Sequence, residues 1–230
     1  MSYLIDDLLP ENVVHLLGGP SGAGKTRWLI NSLIEWRKGR PVLDKPSHPG
    51  KWLYISSDRG ADEVNRMLER MQVDKSLVPL IPAFGKDYKN INEIMDIIVW
   101  EKPKLTVIEA FGSFLDSNSK KEVKAYLNRC KRFCDEAQTT IIGVVESPKM
   151  TPNKFYENPR QRISGVADWG HFASTIMIAE FENPKNPNGA RRLWICPRDY
   201  PSVERLFTFD FHGRPVLSNP DEIIVPEIVR

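Results

Sequence analysis

With 230 residues, 41% hydrophobic and 27% charged, the chain has the size and balance of one globular domain with an ordinary core. A formal net charge of +2 gives no bulk attraction to nucleic acid, although a local basic patch stays open. No run reaches the ~18 apolar residues of a membrane helix, and the start, with Asp6 and Asp7, does not read as a signal peptide, so a cytoplasmic protein without membrane contact is expected.

Val13–Leu17 reads as a short buried strand that runs into a glycine loop, and Lys25–Arg37 as the helix after it. The segment Gly39–Gly50 is rich in Pro, Gly and charge and reads as a surface loop. Lys51–Ser56 is the next strand, and Ala61–Met71 a helix with Val64, Met67, Leu68 and Met71 on one face. Leu77–Ile81 is a strand broken by Pro79 and Pro82, which assigns it to a sheet margin. Ile91–Trp100 is a helix, Leu105–Ile108 a buried strand, Lys120–Ala137 a long amphipathic helix and Thr139–Val145 another strand.

Strand–helix alternation of this kind predicts an α/β fold, a mostly parallel sheet with helices on both faces. The pattern then changes. Ser147–Gly165 has no apolar period and reads as a long loop or lid. Thr175–Phe181, Leu193–Cys196, Val203–Phe209 and Pro215–Leu217 read as antiparallel strands that extend the same sheet. One domain is expected over residues 1–218, followed by a tail, 219–230. Cys130, Cys134 and Cys196 have no four-ligand metal pattern around them and read as free thiols of a reducing compartment.

The glycine loop carries the chemistry. Gly19, Pro20, Ser21, Gly22, Ala23, Gly24, Lys25 and Thr26 fit G-x-x-x-x-G-K-[ST] at every fixed position, between a strand and a helix. Backbone N–H groups of such a loop cradle phosphates, with the helix N-terminus aimed at the anion. Lys25 is expected at the β- and γ-phosphates of ATP, and the Thr26 hydroxyl on Mg²⁺. Glu109 closes the buried strand L-T-V-I-E, so it either anchors the metal or caps the segment that follows. Asp58 ends K-W-L-Y-I-S-S-D and either positions the attacking water or caps the helix from Ala61. Glu146, at the end of the strand after Glu109, is a candidate sensor of the γ-phosphate or a contact for a basic partner.

Taken together, the P-loop, the strand ending S-S-D, L-T-V-I-E-A-F-G-S-F, the strand ending at Glu146 and R-Q-R-I-S-G-V-A-D-W resemble the RecA-like ATPases of the hexameric replicative helicase RepA type, a plasmid- and phage-associated group often described as AAA domains. The resemblance spans roughly Leu8 to Tyr200. It implies a RecA-like core and an ATP-driven homo-oligomer, commonly a hexameric ring, with each site at a subunit boundary. Its helicase branch moves on single-stranded DNA.

By position, Asp58 matches the acid that activates water and Glu109 the Walker B aspartate. Arg160 and Arg162 match a basic, glycine-associated segment. Arg198, in R-D-Y, falls near the segment that reaches a neighbour's phosphates, with Arg162 as its rival for the part of arginine finger. Two departures stand out. Glutamate and aspartate have exchanged places at the metal and water positions. Val145 and Glu146 replace a pair of histidines.

Lys149, Lys154, Arg160 and Arg162 share one loop with Phe155 and Tyr156, which fits either a DNA-binding collar in a ring or an ordinary solvated loop. Three functions stay open. One is a motor or loader on single-stranded DNA. Another is an ATP-dependent switch or assembly factor with a replication or recombination protein as partner. The last is a small-molecule kinase.

Overall fold

The computed structural model describes residues 2–83, 90–115, 119–146, 169, 173–183, 185–186 and 188–217. It opens with two short strands, β1 (Tyr3–Ile5) and β2 (Leu9–Pro10), paired antiparallel. Strands of three and two residues are too short to show a period, so this hairpin leaves no pattern in the sequence. The alternating region follows as β3 (Val14–Gly18), α1 (Lys25–Arg37), β4 (Trp52–Ser56), α2 (Ala61–Arg70), β5 (Leu80–Pro82), α3 (Ile91–Glu101), β6 (Leu105–Ile108), α4 (Lys120–Glu136) and β7 (Thr140–Val144). The last strands are β8 (Thr175–Phe181), β9 (Arg191–Pro197), β10 (Val203–Phe209) and β11 (Pro215–Leu217).

Nine strands form one mixed sheet in the order β11-β10-β9-β8-β3-β7-β6-β4-β5. From β8 to β5 every neighbouring pair is parallel, while β8, β9, β10 and β11 pair antiparallel. The α/β RecA-like architecture is therefore present, with the antiparallel extension continuing the same sheet. The proline-flanked strand is confined to Leu80–Pro82 and lies at the sheet margin, because residues 75–77 close a 3₁₀ turn instead. The bounds of β9 exceed the apolar run. Arg191 packs over the Phe181 ring, and Arg192 pairs with Glu204 at 2.7 Å, so charged residues extend the strand at its start.

Two apolar cores lie on opposite faces of the sheet. One joins the β1–β2 hairpin to α1 and α2 through Leu4, Trp28, Ile30, Trp36, Val64 and Leu68. The other joins α3 and α4 through Ile94, Ile98, Val123, Leu127, Cys130 and Cys134. The alternating pattern of α4 is thus the stripe that meets the sheet. Its start is fixed by Ser119, whose hydroxyl accepts from Glu122 N–H at 3.3 Å. Among the described residues, no helix is long and apolar enough to cross a membrane.

Strand direction assembles the candidate site. Parallel strands β3, β4, β6 and β7 end at one edge of the sheet, so the residues that follow them share a neighbourhood: the glycine loop, Asp58, Glu109 and Glu146. The start of β9 and the end of β10 reach the same edge, bringing Arg191 and Phe209.

Candidate nucleotide-binding site

Gly18 ends β3, and the loop from Gly19 to Gly24 turns the chain into α1 without any side-chain cap on the helix. Two of its glycines are required by close approach and by backbone conformation. A Cβ on Gly19, at φ +147°, would lie 2.0 Å from the Ala179 carbonyl oxygen of β8. A Cβ on Gly24, at φ +88°, would lie 2.2 Å from the Phe209 ring of β10. The first turn of α1 contains no acidic residue, and a helix start, with its leftover N–H groups and positive dipole end, favours an anion there.

Lys25 Nζ donates to the carbonyl oxygens of Gly19 at 2.7 Å and Pro20 at 3.1 Å, folding the side chain back over its own loop. Partial burial pulls its pKa down, opposed by the carboxylates of Glu146, Glu109 and Asp58. Thr26 Oγ1 donates to Glu109 Oε1, joining the start of α1 to the end of β6. The backbone of Glu109 is held from β4: its N–H donates to Ile55 O at 2.9 Å, and Ser57 Oγ donates to its carbonyl. The next residue, Ala110, has φ +49°, which turns the chain sharply away and leaves the carboxylate pointing at α1.

The Glu109 side chain is 2% exposed, and its Oε2 makes no hydrogen bond of good geometry. The buried Tyr54 phenol lies against the carboxylate, close enough for each to perturb the other, also without a well-formed bond. Burial raises the Glu109 pKa, as does Asp58; Thr26, Tyr54 and Arg59 work the other way. A buried carboxylate oxygen without a well-formed hydrogen bond among the described residues, next to a hydroxyl, is a hard-oxygen donor pair of the kind Mg²⁺ takes.

These groups line a cleft of about 1020 Å³. Its floor is Lys25, Thr26 and Glu109, and its far wall holds Asp58, Arg59 and Glu63. Glu146 stands at the end of β7 and Trp169 beside Gly112. Trp169 also packs in an aromatic cluster, with ring centroids 6.0 Å from Phe111 and 6.3 Å from Tyr126.

The structure brings together every site residue of the sequence reading that lies before residue 147. It does not bring in Arg198. That residue follows β9 at the opposite sheet edge, with its Nη2 3.4 Å from Ala173 O, and seven strand residues put it roughly 20 Å from the cleft of its own chain. Lys149, Lys154, Arg160 and Arg162 lie outside the described residues. Four histidines read as scattered without metal spacing; among the described residues no three His, Cys, Asp or Glu side chains gather as metal ligands.

Arg191, Phe209, Arg27 and Arg59 line the cleft and are not among the site residues read from the sequence. Arg191 and Phe209 arrive through strand register: Arg191 is opposite both Phe181 and Phe207, and its guanidinium lies 4.7 Å from the Phe181 ring and 5.5 Å from the Phe209 ring. Arg27 approaches Phe209 from α1 at 5.7 Å. Register across three antiparallel strands is not written in their separate patterns. Arg59 adjoins Asp58 in sequence, and its proximity to that acid is the signal that could have found it.

A family model described as "AAA domain" matches residues 1–151, about two thirds of the chain and all of the strands that carry the cleft's floor. The chain belongs to the AAA domain family. This AAA domain is by family a P-loop ATPase domain, which agrees with its phosphate loop and buried acid. No curated protein matches it in sequence. Among solved structures it is similar to a KaiC-like protein from the hyperthermophilic archaeon Pyrococcus horikoshii OT3, with a TM-score of 0.66 over 94% of each chain and 17% sequence identity. That likeness shows the fold, a RecA-like core with a mixed sheet and flanking helices.

Proposed function

We propose that this AAA domain binds ATP with Mg²⁺ in the cleft, hydrolyses it, and works as a homo-oligomer on single-stranded DNA, as a motor or loader. The observation that carries the ATP reading is the Thr26–Glu109 contact within the P-loop cleft, which aligns the expected metal anchors. In this reading Gly19–Thr26 hold the phosphates and Lys25 exchanges its loop carbonyls for phosphate oxygens. Thr26 and Glu109 would hold Mg²⁺, which when bound offsets charge on the phosphate oxygens. Phe209, flanked by Arg191 and Arg27, offers a flat face for the base.

Asp58 orients water for attack on the γ-phosphorus. The new bond is from water oxygen to phosphorus; the bond that breaks is to the β–γ bridging oxygen, which leaves with its electron pair as ADP. The proton of the water passes to the Asp58 carboxylate. Arg198 is too far from its own cleft to take part there, which supports a role against a neighbour's phosphates. Arg162 remains its rival. The hexameric ring, the RepA-type kinship and the DNA-binding part for Lys149, Lys154, Arg160 and Arg162 rest on the sequence resemblance.

The test is ATP turnover measured over a protein concentration series with and without single-stranded DNA at low salt. Stimulation by DNA that rises with assembly supports the reading; turnover blind to both sinks the motor.

A second reading, a slow ATP-dependent switch with a protein partner, draws on Val145. This residue occupies a position where the helicase branch has a histidine, and it is apolar and 7% exposed. No polar group there can relay the γ-phosphate's presence to the following loop. Glu146, exposed and beside the cleft, would then be the contact for a basic partner.

A further inference from the structure

The described arginines near the nucleotide cleft occupy different stations. Arg27 and Arg191 stand around Phe209, on the side proposed for the base. Arg66 and Arg70 continue the wall along α2 and are exposed. Arg59 stands between them and the catalytic floor, next to Asp58, and the electrostatic influence of Glu109 reaches it.

Its pairing is loose. Arg59 Nε is 3.9 Å from Asp58 Oδ2 and 3.7 Å from Glu63 Oε1, both beyond hydrogen-bonding distance. Among the described residues, the guanidinium's hydrogen bond runs from Nη1 to the Met67 sulfur at 3.9 Å, a weak acceptor. The side chain is about two thirds buried, at 33% exposure. Burial is the largest influence and works against its charge, but Glu109, Asp58, Tyr54 and Glu63 together outweigh it, so the guanidinium keeps its charge. A half-enclosed guanidinium whose donors are mostly unused among the described residues, on the wall of the cleft proposed for phosphate, is arranged for an oxyanion. Its backbone is anchored, since Ser56 Oγ donates to Arg59 O at 3.0 Å, so a swing of the side chain leaves β4 in place.

We propose that Arg59 is a phosphate-contacting catalytic residue that acts within its own chain. With ATP in the cleft, the guanidinium leaves its long contacts to Asp58 and Glu63 and donates to γ-phosphate oxygens. It there offsets the charge that develops as the bond to the β–γ bridging oxygen breaks and ADP leaves. The same movement clears the space between Arg59 and Asp58, where the attacking water would sit. The inference rests on the reading of the cleft as an ATP site. It adds that a single subunit contains a complete set of groups for basal turnover, with any arginine from a neighbour adding to it.

The experiment compares the intact protein with Arg59→Ala, Arg59→Gln and Arg59→Lys. Read out are the melting temperature, affinity for ADP–Mg²⁺, affinity for ADP–Mg²⁺ with aluminium fluoride, and kcat across dilution to monomer. Unaltered protein should retain a constant basal kcat on dilution. Arg59→Ala and Arg59→Gln should keep ADP affinity within about threefold, lose the extra affinity conferred by aluminium fluoride, and fall in kcat by about a hundredfold. Arg59→Lys should keep part of the rate, and added guanidinium ion should restore part of it to Arg59→Ala.

Unchanged kcat and aluminium fluoride affinity in both neutral variants would overturn the proposal and leave the ATP site standing. Loss of ADP affinity together with melting temperature in both would make Arg59 a structural tie instead. A basal kcat that vanishes on dilution of unaltered protein would assign the cation to the neighbour. If unaltered protein binds neither ADP nor ATP, the reading of the cleft itself fails.

Discussion

The Lys25 ammonium is already solvated by two carbonyls of the loop that it serves, so phosphate binding is an exchange of partners on one loop. Replacing it with alanine removes the cation and leaves the loop shape, which the glycines and Ala179 set. Lys25→Ala should weaken ATP by about tenfold or more and abolish turnover, as titration calorimetry and phosphate release would show. Glu109→Gln keeps an oxygen for the Thr26 hydroxyl but takes the charge from the position proposed for the metal. The Mg²⁺ concentration for half-maximal turnover should rise about tenfold or more, while an unchanged Mg²⁺ dependence would place the metal elsewhere.

His15 supplies the pH dependence. It is fully buried in β3, one ring nitrogen meets Pro10 O at 2.8 Å, and burial pushes its pKa from 6.5 down to about 4. The folded state therefore binds this proton less tightly than the unfolded chain. Stability is fully present above the unfolded value and is lost as pH falls from 6.5 towards 4, by about 3 kcal/mol in all. Urea melts of the intact protein and of His15→Gln should diverge through that window, the variant having the flatter profile.

At the scale of elements, the alternating half of the fold was legible because its helices, and its strands other than β5, are long enough to show their period, and because prolines and caps mark the ends. Ser119 is such a mark, and Ser119→Ala should cost about 1 kcal/mol of stability in urea melts by freeing the first turn of α4. What sequence could not supply was adjacency. Asp58 and Glu109 each end a readable strand, but only the order β7-β6-β4 shows that both face the P-loop across one cleft. Phe209 reads as the end of a strand until register places its ring beneath Gly24. Phe209→Ala should raise the KM for ATP by about tenfold with little change in kcat, since a stacked base is worth about 1–3 kcal/mol. A KM that does not move would take the base away from this face.

At the scale of the molecule, the nine-stranded sheet is a partition between two apolar layers. All three cysteines are buried thiols outside any disulfide, and all three belong to the layer beneath α3 and α4. Burial raises the Cys130 thiol to about 12 and pushes Cys134 up as well, so neither reacts while enclosed. Trp28, Trp36 and Trp52 belong to the layer beneath α1 and α2, which holds no thiol among the described residues. The two faces of one sheet can thus carry separate clocks. Thiol labelling times the opening of one, and tryptophan emission, once Trp100, Trp169 and Trp194 are replaced by phenylalanine, follows the other, which contains the helix that leads from the P-loop. Nucleotide held at that loop should slow the second clock directly. Whether the first slows in step measures how far the sheet carries the news of a bound phosphate to its other side.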